Sequence, residues 1–203
     1  SELVVTVRAG TPLAELEAAL AQQGQCLAFE PPRFATAEGD VATVGGMVAA
    51  GWSGPARASV GAVRDFVLGI EIINGKAELL RFGGQVMKNV AGYDVSRLMA
   101  GSWGTLGVIT EVSLKVLPVA PGEATLRFDG IGQAEALQRL NHWGGQPLPL
   151  NASCWVEDEG KGTLYVRLRG AKAAVQAACQ YMDNTQMDPV QAAADWVACK
   201  EQQ

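Results

Sequence analysis

ATVGGMVAAGWSGPARASVG, residues 42–61, decides how this chain is read. Five glycines fall within twenty positions, yet Val44, Met47, Val48, Trp52 and Val60 are threaded between them. A flexible tether is rich in Gly and Ser and carries no large apolar side chains. The stretch is therefore packed, and its glycines let the backbone come close to something. Thr43-Val44-Gly45-Gly46 followed by MVAA reads as the opening of a short helix. Free amides there would suit an anion such as a diphosphate. Ser53 and Gly54 open a second turn able to add backbone and hydroxyl donors. The competing reading is a glycine-rich crossover that merely packs closely, and local composition weighs the two about equally.

A second cluster lies far downstream in GSWGTLGVIT, residues 101–110, where Gly101, Gly104 and Gly107 recur at a spacing of three and lead into a strand. Two glycine turns, each beside a β-rich segment, suit one extended ligand held at both ends, and FAD has that shape. The spacing matches neither common nucleotide motif: no GxGxxG follows the first strand and no GxxxxGK[ST] occurs anywhere. A Rossmann NAD domain and a Walker nucleotidase are both disfavoured.

Composition narrows the classes further. The 203 residues are 48% apolar and 18% charged, with 24 glycines, as in globular α/β or α+β proteins rich in tight turns. A net charge of −5 without a basic run argues against nucleic acid, whose phosphates need clustered Lys and Arg. Apolar runs are broken by Gly, Arg or Glu well before the length of a membrane span. Cys26, Cys154, Cys179 and Cys199 are far apart with no CxxC pair, which reads as buried or half-buried thiols in a reducing compartment. With a single histidine besides, neither a zinc site nor an iron–sulfur cluster is expected, and no metal ligands are assigned. SELVVTV is strand material without an initiator Met and DWVACKEQQ is helix, so the expectation is a piece of a longer protein, truncated at both ends.

Along the chain, residues 3–8 read as a strand, and Gly10-Thr11-Pro12 as a turn with Thr11 capping a helix and Pro12 at its first position. That helix runs to Gly24, and a short strand covers 26–29. Asn74-Gly75 between apolar runs at 66–73 and 76–82 is a strong hairpin signal. A short helix at 95–100 and a long strand at 107–117 follow, then Pro118 and Pro121, where the domain boundary is placed. The remainder reads β-α-β-β-α over 124–182, five sixths of a ferredoxin-like unit with no evident sixth strand, then a helix capped by Asp188 with Pro189 at its first position.

Other residues invite roles and yield little. His142 stands late in a predicted helix and reads as a surface residue. Lys88, Asn89, Tyr93 and Asp94 form a polar loop cluster, better suited to a loop network or a subunit contact than to catalysis. Arg57, Arg64 and Arg81 are ordinary surface charges taken singly, and Trp52 and Trp103 read as packing beside the glycine turns rather than stacking on a ligand. No acid–base or nucleophilic constellation can be assembled, so the catalytic residues stay unassigned.

The run from VRAGTPLAELEAAL through FEPP, ATVGGMVAAGWSGPARASVGAVRDFVLG and LRFGGQVMKNVAGYDVSRLMAGSWGTLGVITEVSLKVLP resembles the FAD-binding domain of the vanillyl-alcohol-oxidase (PCMH-type) flavoproteins. Within them it is most similar to the FAD-binding subunits of bacterial glycolate oxidases, with FGGQVMKNVAGYDVSRLMAG the most specific segment. The resemblance implies an α+β chain. A PCMH-type FAD-binding domain of two α/β lobes, the first incomplete, would occupy 1–118, and a truncated, partial ferredoxin-like α+β domain 119–203.

The same resemblance assigns cofactor contacts. The family's TIGG-type segment falls on Thr43, Val44, Gly45 and Gly46, and its small-residue turn on Ser53 and Gly54. The tyrosine-glycine that usually closes the segment is Val60-Gly61 here. The adenine-contacting segment falls on Gly104, Thr105, Gly107, Val108 and Ile109, with the Val108 backbone meeting the adenine edge. The family's first diphosphate loop precedes the strand with which this chain begins, so the expectation is weak FAD binding or none. In function the resemblance implies oxidation of glycolate to glyoxylate by FAD in a complex with a second flavoprotein subunit and an iron–sulfur subunit. Such a complex would be cytoplasmic, meeting the inner face of the membrane only through partners. The rivals are another 2-hydroxy acid such as D-lactate as substrate, and an assembly subunit with a vestigial flavin site.

Overall fold

The structure, a computed structural model, describes residues 3–34, 39, 41–84, 92–158 and 160–203. It divides into two compact units, one formed by Ser1–Gly54 with Gly61–Val119 and the other by Pro55–Val60 with Ala120–Gln203.

The first unit opens with strand β1 (Val4–Arg8) and helix α1 (Leu13–Gln22). Leu13, Leu16 and Leu20 recur at helical spacing and are all buried. Thr11 does not cap α1, and Pro12 (ψ 135°) precedes the helix rather than beginning it. The backbone here is engaged elsewhere: Pro12 bridges Thr43, the Leu13 amide donates to Ala42 O, and Thr11 O accepts from the Val44 amide. Strand β2 is only Gln25–Cys26, shorter than expected, and helix α2 (Val44–Ala50) and the one-turn helix α3 (Arg57–Val60) follow.

Strands β3 (Val67–Ile73) and β4 (Leu79–Gly83) form the expected hairpin, but through a five-residue loop at 74–78 rather than an Asn-Gly turn. The Asn74 side-chain oxygen accepts from the amides of Lys76 (2.9 Å) and Glu78 (3.0 Å), and Ala77, not Gly75, takes the left-handed conformation at φ 59°. The asparagine mimics a backbone acceptor and so widens the turn. Helix α4 (Val95–Met99), capped by Asp94, leads to strand β5 (Val108–Lys115), and β6 (Leu117–Pro118) pairs with β2. The sheet has the order β1-β5-β3-β4, all pairs antiparallel.

The second unit runs β7 (Gly122–Asp129), α5 (Gln133–Gly144), β8 (Leu150–Asp158), β9 (Lys161–Gly170), α6 (Lys172–Met182), β10 (Thr185–Gln186) and α7 (Pro189–Glu201). β10 is the sixth ferredoxin-like element that the sequence hides: two exposed polar residues pairing with β7, too short for any alternation to register. The order β10-β7-β9-β8 completes that topology. Leu126, Phe128, Leu164, Val166 and Leu168 on one sheet face pack with Ala136, Trp143, Val175 and Met182 of α5 and α6. α7 covers the other face. Its Asp188 cap accepts from the amides of Val190 and Gln191, as the sequence foretold, and Trp196 Nε1 donates to Thr125 Oγ1 at 2.9 Å.

Candidate cofactor site

Helix α2 forms where the TIGG-like segment predicts it, with Thr43 Oγ1 accepting from the Gly46 amide at 3.1 Å as an N-cap. The rest of its first turn departs from expectation. The Val44 amide donates to Thr11 O (3.0 Å) and the Gly45 amide to Ala9 O (2.8 Å). The free amides that would attract an anion are therefore spent on the β1–α1 turn. Gly45 is glycine for a packing reason, since a Cβ there would stand 2.6 Å from Ala9 Cβ.

The next turn is equally committed to the fold. Ser53 is buried, and its hydroxyl donates to Gly51 O while accepting from the Val63 amide, both at 3.1 Å. Gly54 (φ 69°) lies so close to Glu30 that a Cβ would fall 1.9 Å from the Glu30 carbonyl oxygen. Gly61 takes φ 102° beside Asp65, whose carboxylate accepts from the Ala62 amide at 2.9 Å.

The two glycine clusters do meet, at the far end of α2. The amides of Gly101 and Trp103 donate to Val48 O (3.0 Å) and Ala49 O (2.9 Å), and Gly51, left-handed at the helix C-terminus, faces Gly101. Beyond that contact the second turn is open. Gly104 takes φ 73° with nothing near its absent Cβ, whereas a Cβ on Gly107 would stand 2.9 Å from Ile73 O. Thr105 closes a local turn on Ser102 O, through its amide (3.0 Å) and its hydroxyl (2.7 Å). Val108 is 64% exposed and pairs with Ile73; Ile109 pairs with Ile72.

Two residues that the sequence reading passed over stand out. Ser102 Oγ is buried with no hydrogen-bond partner among the described residues, in the middle of the open turn. A buried orphan hydroxyl is costly unless something else supplies its partner. Glu71, the lone charge in FVLGIEII, is buried at 6% exposure on the sheet. Arg81 Nε donates to it at 2.6 Å and Thr110 Oγ1 at 2.8 Å, and these bonds hold its carboxyl below the usual carboxylate range. It belongs to a charged row, Arg8, Glu111, Glu71 and Arg81, beside a trough of about 190 Å³ that Thr6, Gly69, Gly83 and Ser113 also line.

The remaining candidates separate. Trp52 packs edge-on against Phe34 at 4.8 Å, but Trp103 is 68% exposed, against the packing expected of it, because its own amide ties it to α2 at φ 54° with the ring outside. Arg81 is not an ordinary surface charge, since it neutralises the buried Glu71. His142 is exposed near the end of α5, and Tyr93 is fully exposed beside the α4 cap Asp94. Lys88 and Asn89 lie outside the described residues. Among the described residues no group of three or more His, Cys, Asp or Glu could hold a metal, and no helix is long and apolar enough to cross a membrane.

A family model described as an FAD binding domain matches residues 1–83, the part that contains α2 and both of its flanking turns. Across all 203 residues the chain is 47% identical to the glycolate oxidase subunit GlcE of Escherichia coli, covering 54% of that protein. It is 34% identical over 124 residues to the glycolate oxidase subunit GlcD of Bacillus subtilis, and 38% over 117 residues to a D-lactate dehydrogenase of Anaerostipes hadrus. Those matches take in 61% and 57% of this chain, and 25% and 23% of the relatives. The chain thus spans about half the length of the E. coli relative. Among solved structures an alkyldihydroxyacetonephosphate synthase aligns with 98% of the chain and 43% of its own, at a TM-score of 0.75 and 19% identity. The α+β, PCMH-type fold that the FAD-binding domain implies is the fold found.

Proposed function

We propose that this chain is the FAD-binding portion of a 2-hydroxy-acid oxidoreductase subunit. It would serve a complex that oxidises glycolate to glyoxylate, with a second flavoprotein subunit and an iron–sulfur subunit carrying the electrons away. The observation that carries the reading is the 47% identity to GlcE along the whole chain, both units included. When bound, FAD supplies the two-electron acceptor, and the protein supplies binding and orientation. On this reading the open turn holds the adenine end, through Gly104, Thr105, Gly107, Val108 and Ile109, with Ser102 Oγ as an added polar contact. Thr43, Val44, Gly45, Gly46, Ser53, Gly54 and Gly61 shape the wall: the Val44, Gly45 and Gly46 amides and the Ser53 hydroxyl already serve the fold, and Gly54 and Gly61 press against Glu30 and Asp65. The 203-residue chain then retains little FAD when purified alone, and a stoichiometric flavin band would count against that.

The test of function uses the full-length protein co-expressed with its genomic neighbours. Anaerobic addition of glycolate should bleach the flavin band, with D-lactate slower. Faster bleaching by D-lactate would move the substrate to that acid. A second reading, an assembly subunit with a vestigial flavin site, draws support from the occupied amides of α2. Full-length protein that carries no flavin and takes none up would favour it.

A further inference from the structure

The second unit holds two thiols that the flavin reading leaves unused. Cys154 is on β8 opposite Tyr165 of β9, and Cys199 is in the last turns of α7. Strand alternation turns Cys154, Tyr165 and Thr125 away from the core under α5 and α6, toward the face that α7 covers. On α7, Ala192, Trp196 and Cys199 recur at helical spacing, and the Trp196 ring is fixed over that face by Thr125 Oγ1 and by the Arg167 guanidinium 4.7 Å from its centroid. Two anchored elements thus bring the thiols together. Both line an open cavity of about 310 Å³ with Met187, Asp195 and Gln203, near enough for each sulfur to bear on the other. Each is only half-buried. The other cysteine of this unit, Cys179, packs against the core on the opposite face, and Cys26 belongs to the first unit.

We propose that Cys154 and Cys199 are a modification site, a dithiol that small-molecule disulfides of the glutathione class oxidise to a reversible disulfide joining β8 to α7. Two thiols on one cavity wall, held there by a strand and a helix, are placed for side-chain rotation to bring the sulfurs together. In the first step the Cys199 sulfur, as thiolate, attacks the small disulfide, forming a mixed disulfide and expelling one small thiolate. In the second, Cys154 gives up its proton, and its sulfur displaces the remaining small thiolate from Cys199. The protein loses two electrons and two protons, which end on two small thiol molecules. The order follows from the surroundings: burial, with the Cys199 sulfur alongside, pushes the Cys154 thiol up to about 11, so it is the poorer first nucleophile. The cavity gives the small disulfide its way in.

The test exposes the folded chain to glutathione disulfide, alkylates the remaining thiols and maps the peptides. Expected are an intact mass lower by two hydrogens, one cross-linked peptide joining Cys154 to Cys199, full alkylation at Cys26 and Cys179, and reversal by dithiothreitol. Cys199→Ser should abolish the cross-link. Stable glutathione adducts on Cys154 or Cys199 without a cross-link would overturn the proposal, as would a cross-link through Cys26 or Cys179. Should the variant fail to fold, phenylarsine oxide, which bridges adjacent thiols, replaces it on the unaltered chain. Protection of Cys154 and Cys199 together from alkylation supports the pair, and its absence overturns it.

Discussion

The turn at 43–46 and the turn at 101–107 are equally rich in glycine, and they use it in opposite ways. In the first, the amides of Val44, Gly45 and Gly46 all have partners within the fold, and Gly45 is small because Ala9 is against it. In the second, the amides of Gly101 and Trp103 hold the end of α2, while Gly104 faces open space and the buried Ser102 hydroxyl has no partner among the described residues. Glycine density marks close approach in both. Only the destination of the polar groups separates a structural joint from a surface with something left to bind.

Substitutions at the two turns should behave differently. Gly54→Ala should have the largest effect, about 3 kcal/mol or more, because the new Cβ meets the Glu30 carbonyl at a φ that alanine dislikes. Urea unfolding reads the loss, and a change below about 1 kcal/mol would mean that the Glu30 segment yields easily. Gly45→Ala should cost about 1–3 kcal/mol by overpacking against Ala9. If it instead leaves stability alone and only weakens FAD uptake in the full-length protein, the first turn is a cradle after all. Thr43→Ala removes one cap and should cost about 1 kcal/mol in the same assay.

Glu71 sharpens the picture through pH. Its carboxyl is held low by Arg81 and Thr110, so the folded state binds fewer protons there than the unfolded chain. That stabilisation is in full force above the ordinary carboxylate range and fades as the pH falls through and below it. Glu71→Gln should therefore flatten the acid limb of a stability–pH curve, and an unchanged limb would assign acid sensitivity to other carboxylates. The smallest expected effect on the fold belongs to Ser102→Ala, within about 0.5 kcal/mol, since no hydrogen bond is lost. The same change should lower FAD retention in the full-length protein. Retention unchanged, measured by flavin absorbance per protein, would remove Ser102 from the site.

Much of this was legible in the sequence. Valine-rich alternation marked β1 and β5, the leucine spacing of α1 placed its buried face, and Asp188-Pro189 announced α7. What stayed hidden depends on partners remote in sequence. Thr11 looks like a cap until Thr43 pairs with its neighbour Pro12, and β10 is two polar residues that become a strand only beside β7. Ser102 was masked by the glycines around it, since nothing local tells a satisfied hydroxyl from an orphan. Glu71 did leave a signal: a single carboxylate inside an apolar strand is a buried charge in need of a cation, and Arg81 stood ten residues on across the hairpin.

The assignment of Pro55–Val60 to the second unit also governs how the protein can be dissected. α3 lies against β8, the edge strand of the second sheet, while the rest of that unit begins only at Ala120. Cutting the chain once, after Val119, would free a segment whose edge strand has lost its cover. An uncovered edge invites pairing with another copy. A stand-alone second unit is better made by grafting Pro55–Val60 ahead of Ala120 on a short linker than by truncation.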